Sequence, residues 1–446
     1  MSIPLSGGAT GSTGPGSKPS NRPRRTRVDR ITTMWMILAA LILAYSFVFR
    51  GQLNQQWWTT VHLITLGVIT NAILQWSWYF SRSLLRLPPS DKHSGAHQTA
   101  RQVLFNLALV ELVAAMWLAS PVGAVIGATA IGLIVAWHVV ALVLAGRSAL
   151  AARFAVIIRY YTASGAFLVV GTIYASLLTI VLLSPNPPAE LVRLQGGLTV
   201  AHALVNGLGW VGLTIAGTLV TLGPTALRTR MADGAVTRAV QILPVLIAAL
   251  LVATVAATFG LLALAGLAIL VYAAALVWGI GMPLLQVAVR KPLAEYASWN
   301  FAAGILWFAV GLVWLAAELA WAPGADTFRE SSRLVVGILG VGGVLQILIG
   351  ALSYLLPVVV GGGPTPVRVG NTTLQVAGGL RLAVRNAGLL LAAFAGLSGV
   401  ESTLLTGIWA GLIIVSFLGD IAAMGAAGVR QAKAKREPTH EGGIRG

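Results

Sequence analysis

Cysteine is absent from all 446 residues, which excludes disulfides, thiolate metal sites, iron-sulfur clusters and covalently attached c-type haem. Any metal must therefore be held by His, Met, carboxylate or backbone. Charge is scarce too: Asp, Glu, Lys and Arg make up 10% of the chain, and only 13 residues are acidic. No phosphate-binding Gly-rich loop, zinc-protease His pair or nucleophile elbow occurs. A nucleotide enzyme or a soluble-type hydrolase would have no residues to run on. Histidine is limited to six copies.

What is present is apolar. Hydrophobic residues make up 57% of the chain and the mean hydropathy is +0.83, values of a polytopic membrane protein rather than a soluble domain. Windows of about 20 apolar residues give twelve expected spans, at 31–49, 57–81, 102–119, 121–146, 155–184, 194–222, 239–257, 259–287, 297–321, 334–360, 382–400 and 402–427. The fold class expected is an all-α integral membrane protein. It divides into a disordered basic leader over 1–30, a membrane domain over 31–427 and a tail over 428–446. No small-residue cleavage site follows the first span, which is expected to stay in place.

A net charge of +17 on a soluble surface would point to nucleic acid. Here the arginines fall in short connections between apolar runs, where they act as topology signals, and no nucleic-acid partner is expected. Alternating the spans puts all of the 30 Lys and Arg on one side except Arg50, Arg193, Arg329 and Arg333. By the positive-inside rule both termini are cytoplasmic, and the bilayer expected is the plasma membrane.

The chain also repeats itself. Placing Gly67, Gly209 and Gly342 in register aligns the second, sixth and tenth spans, with four spans in each interval. Beyond the glycine, Gly217-Thr218-Leu219 matches Gly350-Ala351-Leu352, and Pro224 matches Pro357, while the second span has Gln75-Trp76-Ser77-Trp78 there. Three four-helix arcs are expected, with small residues allowing close helix contact.

The segments from His62 to Tyr79, from His202 to Pro224 and from Leu345 to Pro357 carry a resemblance to subunit I of the haem-copper oxidase superfamily. The likeness is best to its nitric oxide reductase branch, and the chain also looks like the membrane part of actinobacterial copper oxidase/nitrite reductase fusion proteins. The resemblance implies twelve helices in three arcs, a haem ligand at His62 and a copper ligand at His202. It also requires residues that are missing. No histidine pair occurs between Gln241 and Phe259, Val335 and Gly337 stand where the tenth helix should ligate haem, and Asn206 stands where many oxidases carry a crosslinked tyrosine. One histidine cannot build a binuclear centre, so oxygen-reducing activity is not expected.

His62 and His202 are thus the candidate cofactor and metal ligands, for haem b or copper, near the outer ends of their spans. A neutral imidazole in a bilayer is costly to leave unpaired. The bland alternative is a pair of relics hydrogen-bonded to neighbouring helices. Glu111, Asn71, Asn206 and His138 are candidates for a proton or polar relay; the alternative for each is a helix-helix hydrogen bond. Asp420, and Arg159 with Tyr160 and Tyr161, read as snorkelling or pairing at the interface. Glu318, Trp57, Trp58, Trp307, Trp314 and Trp321 read as an interfacial belt. His93, His97 and His440 fall in polar connections or the tail. The leading expectation is a divergent, haem- or copper-binding membrane protein with a redox partner, acting in electron transfer or copper and nitrogen-oxide metabolism. A secondary transporter of a small solute and a cofactor-free assembly subunit are the alternatives.

Overall fold

A computed structural model of the chain describes scattered positions between 34 and 45 and residues 55–85, 95–147, 153–400 and 402–436. Helix dominates, and no strand occurs among the described residues. Eleven helices there are long and apolar enough to cross a membrane. In chain order they are α1 (Gln56–Leu84), α2 (Ala96–Trp117), α3 (Pro121–Gly146), α4 (Val156–Leu183), α5 (Ala189–Ala226), α6 (Ala235–Thr258), α7 (Leu262–Ala288), α8 (Tyr296–Trp321), α10 (Arg333–Val360), α12 (Gly378–Ser398) and α13 (Thr403–Ala434). Two short helices, α9 (Ala325–Ser331) and α11 (Pro364–Gln375), lie between them. Even the shortest long helix, with 21 residues, reaches about 30 Å at about 1.5 Å per residue.

These helices match eleven of the expected spans. Most of the first span, at 31–49, lies outside the described residues, as do the leader and residues 437–446 of the tail. Three boundaries differ for identifiable reasons. Helix α5 starts at Ala189 rather than 194, because Pro188 sets its first turn and Glu190 favours the positive N-terminal end. Helix α13 runs to Ala434 rather than 427, since the Gln431 amide donates to the carbonyls of Pro357 (2.7 Å) and Gly361 (3.0 Å). The connection starting at Gly361 is partly helical. After Gly361, Gly362 and Gly363 turn the chain at positive φ, Pro364 starts α11 at a position where its missing N–H costs nothing.

Successive helices pack as hairpins, α2 on α3, α3 on α4, α6 on α7 and α12 on α13. Large apolar side chains such as Leu390, Leu397, Leu404 and Val415 point outward. That inversion is what a hydrocarbon surround permits, because helix association there depends on close packing rather than on hiding apolar surface.

The glycine register has a backbone counterpart. Helix α1 is π-helical over Leu63–Thr70, α5 over Val205–Gly212 and α10 over Leu339–Leu345, so each of Gly67, Gly209 and Gly342 sits inside a widened turn. All three stretches end three residues after their glycine. A fourth π-helical stretch, Val277–Gly281 in α7, lies outside this register. The repeat extends to the helix packed alongside. A Cβ on Gly209 would fall 2.6 Å from Phe167 of α4, and one on Gly342 would fall 2.9 Å from Trp307 of α8. Seven residues earlier on α4, Tyr160 faces Gly217, and six earlier on α8, Phe301 faces Gly350. The π segments also converge. Trp210 Nε1 donates to Thr70 Oγ1 at 2.9 Å, and one apolar cluster joins Ile69, Trp210 and Val211, with Val344 and Leu345 of α10 packed against it.

Candidate metal centre

A π-helical turn leaves carbonyls out of the regular i to i−4 ladder, and polar side chains of this chain take them up. In α1 the Thr70 hydroxyl donates to Thr65 O at 2.9 Å, and the Asn71 amide donates to Gly67 O at 2.9 Å. In α5 the Asn206 amide donates to His202 O at 2.8 Å. The two histidines stand just before these widened turns, which re-aim the helix face by one residue. That placement brings together rings separated by 140 positions in sequence.

The His62 and His202 rings lie with centres 6.2 Å apart and planes 26° apart. Both are partly buried. His62 Nδ1 meets Trp58 O at 2.8 Å, one turn back on its own helix, and the Trp58 indole stacks on the imidazole at 4.1 Å and 17°. His202 Nδ1 meets Gly171 O of α4 at 3.1 Å. A carbonyl only accepts, so both bonds require the proton on Nδ1 and leave Nε2 with its lone pair. This is the tautomer that ligating imidazoles adopt when a backbone carbonyl orients them. Asn206 lies beside the His202 ring, with its Nδ2 donor 3.5 Å from Nε2, the ring nitrogen free to accept, and its Oδ1 buried without a hydrogen-bond partner among the described residues. Gly171 is required beside it: a Cβ there would lie 2.7 Å from Asn206 Cγ.

The donor set is small. No group of three or more His, Asp or Glu among the described residues is placed to hold a metal. The arrangement can therefore offer two nitrogen donors side by side on α1 and α5.

The relay candidates do not form one path. Asn71 is fully buried, accepts from Gln102 and from Asn106 (3.0 Å), and donates to Asn106 Oδ1 at 3.0 Å. It is a knot of amides tying α1 to α2. His138 is buried and shares a hydrogen bond of 2.9 Å with Ser77, fifteen residues beyond His62 along α1, so it joins α3 to α1 well away from the imidazole pair. Glu111 is not enclosed in the bundle. It is exposed on α2, with Oε1 3.1 Å from where a Gly123 Cβ would stand, beside the first turn of α3. Only Asn206 stays with the histidines.

Other expectations are corrected. Of the two readings of Asp420, pairing holds and snorkelling does not: it is fully buried inside the bundle, bonded to Arg381 (2.7 Å), to Arg385 and to the Tyr296 hydroxyl. Arg381 and Arg385 lie within α12, not in a connection. Tyr160 and Tyr161 are buried, donating to Ala239 O at 2.8 Å and pairing with Thr218 at 2.9 Å, rather than sitting at an interface. Trp58 serves the His62 ring and Trp307 donates to Asn386 at 2.6 Å, whereas Trp57 and Trp321 remain exposed near helix ends as a belt requires. His97 meets Trp137 edge-on at 6.3 Å. His93 and His440 lie outside the described residues.

Sequence reasoning missed Gly171 and Gln346 altogether. Gln346 follows Gly342 by four positions, as Asn71 follows Gly67, and it is fully buried with both amide atoms unpaired among the described residues. The shared register was the signal that could have found it. For Gly171 no local signal exists, since its role depends on α4 crossing α5. The Arg381, Arg385 and Asp420 group was announced by the i, i+4 spacing of two arginines and one lone acid in apolar surroundings.

No protein-family model matches this chain, and a search of curated proteins gives no match.

Proposed function

We propose that this chain is a multi-pass membrane protein whose His62 and His202 hold one copper(I) ion. The observation carrying this reading is the pair of imidazoles, brought from α1 and α5 to ring centres 6.2 Å apart with each Nδ1 on a carbonyl. An ion bonded at about 2.0 Å to both Nε2 atoms puts the ring centres about 6 Å apart. Two donors suit copper(I) better than zinc, which takes four. Neutral ligands bring no charge to offset the ion. The self-energy of an ion in hydrocarbon scales with the square of its charge, so a monovalent ion is favoured over a divalent one.

Haem b with two axial imidazoles is the second reading, favoured by the same separation and by the resemblance of the two segments to haem-copper oxidase subunit I. In either case the site works as a one-electron or ion-holding station facing a redox partner. It does not reduce oxygen, because among the described residues no further ligands converge on it. The Lys and Arg distribution supports cytoplasmic termini, and the bilayer proposed is the plasma membrane.

The test is an anaerobic titration of the full-length protein in nanodiscs with copper(I), with visible spectra of the protein as purified. One copper per chain, lost in both His62→Ala and His202→Ala, supports the reading. A Soret band lost in the same variants moves it to haem. Neither copper nor haem in the native protein, or equal loading of the variants, overturns it.

A further inference from the structure

Away from the imidazoles, α12 and α13 frame an open groove of about 460 Å³ that runs from the first turn of α12. Its far wall is apolar, with Leu380, Val384, Val415 and Ala423. Its near end carries Arg381 and Arg430.

Three features there call for an anion. Two guanidinium groups, Arg381 and Arg385, share the single carboxylate of Asp420, so one positive charge is left over in a buried cluster. Arg385 is fully engaged, with Asn300, Ser416 and Tyr296 as further partners. Arg381 is bonded to Asp420 and to Leu374 O, its Nε enclosed behind the groove wall without a partner among the described residues. The N-terminus of α12 opens beside it. Ala377 precedes it in a left-handed conformation and offers no side-chain cap to the first free N–H groups. Such an end attracts negative charge. Arg430, exposed on α13, completes the ring from the other wall.

We propose that this groove binds one anionic phospholipid. Its phosphate sits at Arg430 and the first turn of α12, beside the excess positive charge of the Arg381, Arg385 and Asp420 cluster, and an acyl chain lies along Leu380, Val384 and Val415. The charge asks for an anion, and the apolar wall, facing the bilayer, asks for that anion to carry a hydrocarbon chain. From Arg430 to Val415 is about 22 Å along α13 at 1.5 Å per residue. That spans a headgroup and most of one leaflet.

The experiment uses the full-length protein, delipidated in detergent and then supplied with phosphatidylglycerol, phosphatidylcholine or inorganic phosphate, read by native mass spectrometry and by thermal unfolding. One retained phosphatidylglycerol and a rise in unfolding temperature specific to it are expected. Arg430→Gln, which leaves the buried cluster intact, should weaken retention about five-fold. Ala423→Trp, which fills the groove, should abolish it. Equal retention of phosphatidylcholine, equal stabilisation by inorganic phosphate, or unchanged retention in both variants overturns the proposal.

Discussion

The imidazole pair and the Asp420 cluster are both polar groups inside an apolar bundle, yet they are built on opposite terms. Around Asp420 most polar atoms are satisfied within the chain: the carboxylate is bonded to two arginines and a tyrosine, and Asn300 and Ser416 take up further Arg385 donors. Leu374 O takes one from Arg381, and Arg381 Nε alone of these guanidinium nitrogens is left without a partner among the described residues. Around His62 and His202 the Nδ1 atoms are held by carbonyls, the Asn206 amide lies 3.5 Å from His202 Nε2, and Asn206 Oδ1 has no hydrogen-bond partner among the described residues. A satisfied network holds helices in place, while an unsatisfied one keeps valence in reserve for something else. The first belongs to architecture, and the second is where the proposed ion would bind.

The largest effect expected on stability comes from the cluster. Asp420→Ala strands two buried guanidinium groups and should lower the unfolding free energy by about 3 to 5 kcal/mol, measured by steric-trap unfolding in bicelles. An unchanged value would mean that the arginines find other partners, and the contrast with the histidines would fail.

Next comes the scaffold that aims the histidines. Gly209→Ala would push a methyl to 2.6 Å from the Phe167 ring, whereas Gly207 has nothing within 4 Å. The first should cost about 1 to 3 kcal/mol. The second should be neutral or stabilising by up to about 1 kcal/mol, since alanine is the better helix former. The same unfolding assay on both variants separates crowding from propensity.

The register-equivalent amides sharpen the distinction further. Asn71 is fully bonded and Gln346 is not, so Gln346→Leu should leave stability unchanged or raise it by about 1 kcal/mol, whereas Asn71→Leu should lower it by about 1 kcal/mol. Equal losses in both would show that Gln346 has an unseen partner.

The smallest stability change is expected at the imidazoles themselves. Trp58 O and Gly171 O lie within helices, so His62→Ala and His202→Ala should each cost less than about 1 kcal/mol. Copper(I) loading should nevertheless fall to background in both.

Much of this was legible beforehand because it depends on local pattern. Apolar length set the eleven long helices, though not the short α9 and α11, and the spacing of Gly67, Gly209 and Gly342 marked three helices that share a π-helical turn. His62 and His202 stood out as rare polar groups in those same helices. The widened turns themselves left no comparable mark, since a π turn changes hydrogen bonding without changing hydropathy. Glu111 misled for the reverse reason. A carboxylate inside an apolar run reads as buried, and only the outward orientation of α2 shows otherwise.

By itself the sequence determined that the chain is helical, lies in a bilayer, carries no thiolate chemistry and keeps few histidines, because composition and periodicity act within a single helix. Tertiary structure decided which of those polar groups meet. The 6.2 Å approach of His62 to His202, the Gly171 carbonyl that orients one of them, and the enclosure of Asp420 by two arginines all depend on where separate helices cross. Crossing points are set by packing of small and large side chains between helices distant in sequence, which no local window contains.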